Sequence, residues 1–310
     1  MKVISLFDGI SCGRVAFERA GLPVSEYHAW EIDENAIQIS RNNYPSIQRH
    51  GDVTTTDFTK YRGCDLIMGG SPCQGFSSSG KGLNFDDPRS RLFFEFIRAL
   101  NEAEPRYFLL ENVNMRKEWR DTITEYIGVK PILINSALVS AQNRERLYWT
   151  NIPGVTQPKD KGIDLWSILE NANSTHPGFE GARLNKATII GRRLDERGVR
   201  RDYDKSIPTT QCLEVRRTNN NKSCCLTTVD KDNVLTPLTP GRYPDAFKKG
   251  LPFRYYTTRE YERLQTLPDG YTAGVPDSAA RRAIGNGWTV DVIAHILSHI
   301  PTDEKEEWML

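Results

Sequence analysis

A cysteine in a glycine-rich turn is the residue of this sequence best suited to do chemistry. Cys73 follows two glycines, a serine and Pro72, directly after an apolar run. The glycines let the backbone come close to a ligand, and the proline fixes the turn before the thiol. The thiolate of such a cysteine is a nucleophile that can form a covalent intermediate. A buried structural cysteine at a strand end is the alternative that these residues alone leave open.

Acidic side chains stand at the ends of other apolar runs. Asp8 with Gly9 follows the first run, Glu31 ends the second, and Glu111 follows a later one. In open α/β sheets, ligands bind beyond the carboxyl ends of the strands. A purely structural sheet does not need acids and a thiol at every strand end. We therefore expect these side chains and Cys73 to converge on one edge of a sheet.

The elements expected to position these residues alternate between strands and helices in the first half of the chain. The predicted strands are residues 3–7, 27–31, 65–69, 107–110, 132–139 and 146–151, and the predicted helices are residues 13–20, 34–43 and 91–103. The last of these helices has a continuous apolar face. Strands separated by helical patterns indicate βαβ units and a parallel sheet covered on both faces. The predicted fold class is α/β.

The chain changes character after residue 153. Residues 154–253 are polar and turn-rich, with strand-like patterns only at 184–190 and 224–229. Between Glu180 and Lys222, 11 Lys and Arg residues stand against 6 Asp and Glu residues, an excess that either faces phosphates or forms a solvated surface. Helical periodicity returns after residue 254. We therefore expect one domain from 1–153 plus 254–310 and a smaller, irregular domain at 154–253.

The composition excludes several classes of protein. The chain has 310 residues and a formal net charge of +1. Its 38% hydrophobic and 26% charged residues are typical of a globular protein. The sequence contains no run of about 18 apolar residues, so no membrane span is expected. The first residues do not resemble a signal peptide, so we expect an intracellular protein. The six cysteines form no Cys-x-x-Cys pair and His is scarce, so no metal site is expected.

Eight short motifs, in order through nearly the whole chain, resemble those of the cytosine-C5 DNA methyltransferases. The motifs are residues 6–10, 31–33, 51–53, 72–74, 111–113, 142–146, 259–265 and 285–287. Pro72-Cys73-Gln74 looks like the catalytic motif, and residues 142–146 look like the family's Gln-x-Arg-x-Arg motif. A lone Pro-Cys is a weak signal, whereas eight ordered motifs are a strong one. The pattern resembles bacterial and phage enzymes and also the animal de novo enzymes.

The sequence departs from the family pattern at two places. Both departures affect the expected contacts with the cofactor more than they affect the expected reaction. The family often has Phe-x-Gly-x-Gly-Gly in its first motif, whereas the glycines here are Gly9 and Gly13. The last motif has Trp288-Thr289 where many members have Val-Pro.

The resemblance implies a Rossmann-like, S-adenosyl-L-methionine (AdoMet)-dependent methyltransferase sheet in the first domain and a target-recognition domain at 154–253. It implies methyl transfer to carbon 5 of cytosine in a specific sequence of double-stranded DNA, on a base flipped out of the helix. Cys73 would bond to carbon 6, Glu111 would bind ring nitrogen 3 and the amino group, and Arg146 would contact the flipped cytosine. Arg144 and Arg146 are candidate charges that favour the thiolate.

AdoMet is the expected cofactor and S-adenosyl-L-homocysteine the expected product. Glu31 would accept hydrogen bonds from the ribose hydroxyls, and Asp52 from the adenine amino group. Asn286 would close the pocket from the far end of the chain. The remaining expected cofactor contacts are Phe7, Asp8, Gly9, Ile10, Ile32, Val53, Gly70, Pro72, Leu92 and Trp288.

Contacts to DNA are expected from the loop after the cysteine and from the basic second domain. The residues assigned to them are Gln74, Ser77, Ser79, Arg192, Arg193, Arg216 and Arg217. Phosphate contacts would supply affinity and base-edge contacts would supply sequence specificity. The division of these arginines between the two tasks stays open.

Two other functions remain as alternatives. A tRNA cytosine-C5 methyltransferase of the same fold would carry a Cys-Phe-Thr signature, which is absent from this sequence. A non-catalytic DNA-binding regulator with this fold would usually have lost Cys73 or Glu111. Besides double-stranded DNA, a cognate restriction endonuclease is a candidate partner, and the sequence is compatible with a monomer. We expect a cytoplasmic location for a prokaryotic or phage protein and a nuclear one for a eukaryotic protein.

Overall fold

A sheet of mostly parallel strands lies at the centre of the fold. The computed structural model describes residues 1–71, 91–170, 179, 182–216, 221–246 and 248–301. Within these residues the sheet has seven strands in the order β3-β2-β1-β4-β5-β7-β6. The strands are β1 Lys2–Leu6, β2 Glu26–Trp30, β3 Gln48–Arg49, β4 Leu66–Gly69, β5 Tyr107–Val113, β6 Ile132–Asn135 and β7 Glu145–Thr150.

Helices cover both faces of this sheet. They are α1 Cys12–Ala20, α2 Glu34–Asn43, α3 Arg91–Ala103, α4 Lys117–Ile127, α5 Leu165–Ile168, α6 Thr258–Leu264, α7 Asp277–Asn286 and α8 Val290–Leu297. Successive strand residues point to opposite faces. Val3 packs into one core with α1, α2 and α8, whereas Ile4 and Leu6 pack into a second core with α3 and α4. The α/β class predicted from the sequence is confirmed.

Local signals account for the helix ends that the sequence predicted. The Asp33 carboxylate accepts hydrogen bonds from the backbone N–H groups of Asn35 and Ala36, so it caps α2. Gly21 ends α1 with φ of 69°, a left-handed conformation that favours glycine. The observed bounds of α2 and α3 equal the predicted ones.

The parallel pairing expected for all strands is wrong for β7, which runs antiparallel to both β5 and β6. Only residues 136–144 connect β6 to β7, too few for a parallel crossover. The strand expected at 132–139 ends at Asn135, because the Asn135 side chain accepts the Ala137 N–H and starts a short 3-10 helix, Ser136–Leu138.

A second, antiparallel sheet follows in the basic region. Its strands within the described residues are β8 Asn185–Arg193, β9 Thr209–Val215, β10 Val234–Thr236, β11 Gly241–Pro244 and β12 Arg254–Tyr255, in the order β11-β9-β8-β10-β12. It has its own small apolar core, which includes Ile189 and Leu213. The strand expected at 224–229 does not form. The domain division at 153 and 253 stays a prediction.

None of the described helices combines the length and the apolar character needed to cross a membrane.

Candidate active site

An open cavity at the carboxyl ends of the central strands contains most of the residues that the sequence assigned to catalysis or to the cofactor. It lies where β1 and β4 are neighbours and the strand order reverses, the position where open α/β sheets bind ligands. The lining residues are Phe7, Gly9, Trp30, Glu31, Ile32, Gly51, Asp52, Val53, Gly70, Ser71, Leu92, Glu111, Asn112, Val113, Arg144, Arg146, Gly285 and Asn286.

One half of the cavity presents two fixed carboxylates. The Glu31 carboxylate accepts hydrogen bonds at 2.8 Å from the backbone N–H groups of Gly9, Ile32 and Asp33. These three donors hold the side chain in one orientation and leave oxygen lone pairs for a ligand. In Asp52, hydrogen bonds from the Thr54 backbone N–H and hydroxyl hold the pKa below its ordinary value. Both acids are therefore suited to accept hydrogen bonds from hydroxyl or amino groups.

Apolar side chains wall the same half. Ile32 is 73% exposed although it is a large aliphatic residue, and it lies beside Glu31 at the cavity wall. Phe7 adopts φ of 56°, which non-glycine residues rarely do, and this places the chain turn at the end of β1 against the cavity. An acid beside exposed apolar surface fits a ligand with both a sugar and an aromatic ring.

The other half contains a buried ion pair between Glu111 and Arg146. Glu111 lies on β5 and is 8% exposed. Arg146 on β7 pairs with Val113, two residues beyond Glu111, so both side chains share a face of the sheet. The Arg146 Nε lies 2.9 Å from the Glu111 Oε1. Burial lowers the pKa of Arg146, but the Glu111 carboxylate together with Cys225 and Tyr148 more than compensates, and the net shift is upward.

Arg144 has an architectural position although it also lines the cavity. Its guanidinium donates to the backbone carbonyls of Leu226 at 3.0 Å, Gly285 at 3.2 Å and Gly287 at 2.9 Å. It therefore ties the turn before β7 to the basic region and to the end of α7. The positive charge that was expected to favour the Cys73 thiolate therefore sits on a guanidinium that backbone carbonyls hold in place, and its effect on the thiolate stays a prediction.

Three of the expected cofactor residues do not line this cavity. Ile10 is fully buried in the core. The Asp8 carboxylate turns inward to the hydroxyls of Ser11 and Tyr27, and burial raises its pKa. The Trp288 indole N–H donates to the Glu111 Oε2 at 3.1 Å. The direction of each side chain follows from the backbone turn that carries it, which the sequence pattern did not reveal.

Several expected site residues lie outside the described residues: Pro72, Cys73, Gln74, Ser77, Ser79 and Arg217. Ser71, the last described residue before Pro72, is buried and lines the cavity. The Asn112 side-chain amide donates to the Ser71 hydroxyl at 3.1 Å and so connects the end of β5 to this turn.

The arginines expected to contact DNA have different surroundings. Arg192 binds both Glu214 oxygens, at 2.8 and 3.0 Å, and Asp202 at 3.1 Å. Arg193 donates to the backbone carbonyl of Ile207. These contacts hold both guanidinium groups within the second sheet and its loops. Arg216 is exposed, and its Nη1 lies 3.3 Å from the Cys224 sulfur.

Sequence reasoning missed part of the cavity lining. Trp30 adjoins the motif 31–33 and Val113 belongs to the motif 111–113, so the motif positions could have found both. Cys225 does not line the cavity, but its sulfur lies 3.4 Å from Arg144 Nη1 and 3.7 Å from Arg146 Nη2, and no motif pointed to it. Among the residues that the structure describes, no cluster of three or more His, Cys, Asp or Glu side chains could hold a metal ion.

Known proteins match this chain over nearly its whole length. The family described as C-5 cytosine-specific DNA methylase matches residues 1–302. The type II methyltransferase M1.ScrFI of Lactococcus lactis subsp. cremoris is 31% identical over 315 residues, covering 94% of this chain and 76% of that protein. The type II methyltransferase M.Eco47II of Escherichia coli is 30% identical over 338 residues, covering 96% of this chain and 80% of that protein.

Solved structures match the fold at lower identity. A DNMT2 variant of Spodoptera frugiperda superposes with a TM-score of 0.64 and 20% identity, covering 96% of this chain and 98% of that chain. This likeness shows that the chain shares the fold of that structure.

Proposed function

This chain belongs to the C-5 cytosine-specific DNA methylase family, and we propose that it moves the AdoMet methyl group to carbon 5 of a flipped-out cytosine through a covalent bond between Cys73 and carbon 6. The observation that carries the proposal is one cavity in which Glu31 and Asp52 stand on one side and the Glu111–Arg146 pair on the other. That arrangement places a nucleoside-binding half next to a half that can bind a pyrimidine.

The residues of the first half fit AdoMet. The Glu31 carboxylate suits the ribose hydroxyls, Asp52 suits the adenine amino group, and Ile32 would lose its unusual exposure against the adenine ring. When bound, AdoMet supplies an electrophilic methyl group on its sulfonium. Gly9 lines the cavity just beyond β1 with open space beside its Cα, so the ligand can approach the backbone there.

The residues of the second half suit activation of cytosine. Addition of the Cys73 thiolate to carbon 6 breaks the ring's aromaticity and makes carbon 5 a nucleophilic enamine carbon. Glu111, held by Arg146, would bind ring nitrogen 3 and the amino group, where charge develops as the thiolate adds. After carbon 5 accepts the methyl group, loss of its proton and departure of the thiolate restore the ring.

A substitution at Glu31 tests the cofactor half. We expect Glu31→Gln to raise the dissociation constant for AdoMet about 10- to 100-fold, the scale of one hydrogen bond to a charged group. Isothermal titration calorimetry measures this constant directly. Glu34→Gln is the matched control, because Glu34 is exposed three residues away in the first turn of α2. Equal affinity in the Glu31 variant and the wild type would remove Glu31 from the ribose site.

The activity itself is tested with tritiated AdoMet on random-sequence duplex DNA and, separately, on tRNA. We expect 5-methylcytosine in DNA at one sequence context, which methylation mapping would identify. Incorporation into tRNA alone would favour the RNA methyltransferase alternative. Binding to DNA without any incorporation would favour the non-catalytic regulator.

The second sheet is proposed to contact the DNA, with exposed Arg216 as its candidate phosphate ligand. The relatives M1.ScrFI and M.Eco47II are named type II methyltransferases. For this reason we also propose a restriction-modification setting, with a cognate endonuclease as the functional partner.

A further inference from the structure

The Glu111 carboxylate receives a second donor besides Arg146. Its Oε1 is held by Arg146 Nε at 2.9 Å, and its Oε2 accepts the indole N–H of Trp288 at 3.1 Å. Trp288 lies in the short connection between α7 and α8, far from Glu111 in the sequence. Both oxygens of the proposed catalytic carboxyl are therefore held, one by a charged group and one by a neutral group.

The hydrogen bond from Trp288 to Glu111 lies against Gly70, the residue directly after β4. A Cβ atom at Gly70 would lie 2.9 Å from the Glu111 Oε2 and 2.9 Å from the Trp288 Nε1. A side chain at this position would therefore force the Glu111 carboxyl or the Trp288 indole to move. The turn after β4, the strand β5 and the α7–α8 connection therefore meet at this one hydrogen bond.

The backbone that carries Trp288 is fixed on both sides. The Gly287 carbonyl accepts hydrogen bonds from Arg144 at 2.9 Å and from the Gln265 side chain at 3.0 Å. The Thr289 hydroxyl donates to the Gln265 side-chain oxygen at 2.7 Å and accepts from Ser136 at 2.9 Å. These hydrogen bonds fix the backbone on both sides of Trp288, and they therefore fix the position of its indole relative to Glu111.

We propose that Trp288 is a positioning residue for Glu111, and this inference rests on the proposed function. An indole N–H donates and never accepts, so it can satisfy only an acceptor lone pair of the carboxyl. Trp288 therefore fixes the rotation of the Glu111 carboxyl about its terminal bond. Glu111 lines the cavity, so the lone pairs that these two donors leave are available where ring nitrogen 3 and the amino group of cytosine would bind. This role differs from the cofactor contact expected from the sequence.

The variant Trp288→Phe keeps an aromatic ring and removes the N–H. We expect kcat for DNA methylation to fall about 10-fold, the scale of one hydrogen bond to a charged group, with the AdoMet dissociation constant unchanged within about twofold. Single-turnover kinetics and calorimetry measure the two quantities. A raised AdoMet dissociation constant with unchanged kcat would overturn the proposal in favour of a cofactor contact.

A spectroscopic measurement tests the contact without relying on activity. The protein is labelled with ¹⁵N at the indoles of its six tryptophans, and the Trp288 resonance is assigned by its loss in Trp288→Phe. We expect this resonance to shift in Glu111→Gln and in Gly70→Ala, and to stay in place in Glu145→Gln. Glu145 is an exposed neighbour of Arg146, so it is the matched control. An unmoved resonance in Glu111→Gln would overturn the proposal.

A double-mutant cycle separates positioning from general structural damage. If Trp288 acts through Glu111, Trp288→Phe should cost little further activity in a Glu111→Gln background. If the activity losses of the two single variants multiply in the double variant, Trp288 acts independently of Glu111, and this result would overturn the inference. Wild-type activity in Glu111→Gln alone would instead overturn the proposed role of Glu111, so the two failures are distinguishable.

Discussion

Replacing Cys73 with alanine is expected to lower the rate of methyl transfer at least about 10⁴-fold, the scale on which enzymes lose activity when a covalent nucleophile is removed. Without a thiolate, carbon 6 receives no electron pair, and carbon 5 stays an unreactive ring carbon. AdoMet binding should persist, because the carboxylates that would hold the cofactor, Glu31 and Asp52, follow other strands, β2 and β3. Transfer of tritium to duplex DNA and calorimetric AdoMet binding measure the two effects.

Cys64→Ala is the matched control for this experiment. Cys64 is buried just before the amino end of β4, whereas Cys73 follows the carboxyl end of the same strand. The control removes a thiol from the core, so methyl transfer should persist at temperatures where the protein is folded. DNA methylation that survives in Cys73→Ala would show that another group is the nucleophile.

The substitution Glu111→Gln is expected to lower kcat about 10²- to 10⁴-fold, the range typical of losing a general acid–base group. Glutamine keeps the size of the side chain and one oxygen that can accept from Arg146, so the local packing should persist. It cannot supply or share the proton that binding at ring nitrogen 3 requires. Single-turnover methyl transfer is the measurement, with thermal unfolding as the check on folding.

Glu145→Gln makes the same chemical change beside Arg146 but at an exposed side chain that faces away from the buried pair. Its kcat should equal that of the wild type. If the two glutamate variants are equally active, Glu111 has no role in activating the base.

The prediction of the fold succeeded where the signals are local. The helix α2 was predicted to its ends because its cap and its apolar spacing lie within the segment itself. β7 runs antiparallel because the connection after β6 is short. Residues 224–229 do not form the expected strand, because this stretch lies against other elements. The Leu226 carbonyl there accepts from Arg144, a contact between residues far apart in the chain.

The strand-end rule brought Glu31 to the cavity, and the family resemblance added Asp52, although their roles remain proposals. Glu111 also lines the cavity, but it lies within β5 and not beyond the end of that strand as expected. The same rule could not tell in which direction each neighbouring side chain points. Asp8 follows Phe7, whose positive φ turns the chain, and the Asp8 carboxylate lies in an inward hydrogen-bond network. Similarly, Arg192 had the right type to bind phosphate, but its guanidinium is engaged by Glu214 on the neighbouring strand.

The sequence alone determined the family, the class of fold and the chemical types at the strand ends, because motifs, hydrophobic spacing and caps are properties of short stretches of chain. Only the tertiary structure decided which donor meets which acceptor. The indole of Trp288 reaches Glu111 across 177 residues, and Arg144 binds carbonyls from two distant turns. Such pairings depend on how packed helices and strands bring remote backbone segments to within about 3 Å of one another, and no local pattern encodes that distance.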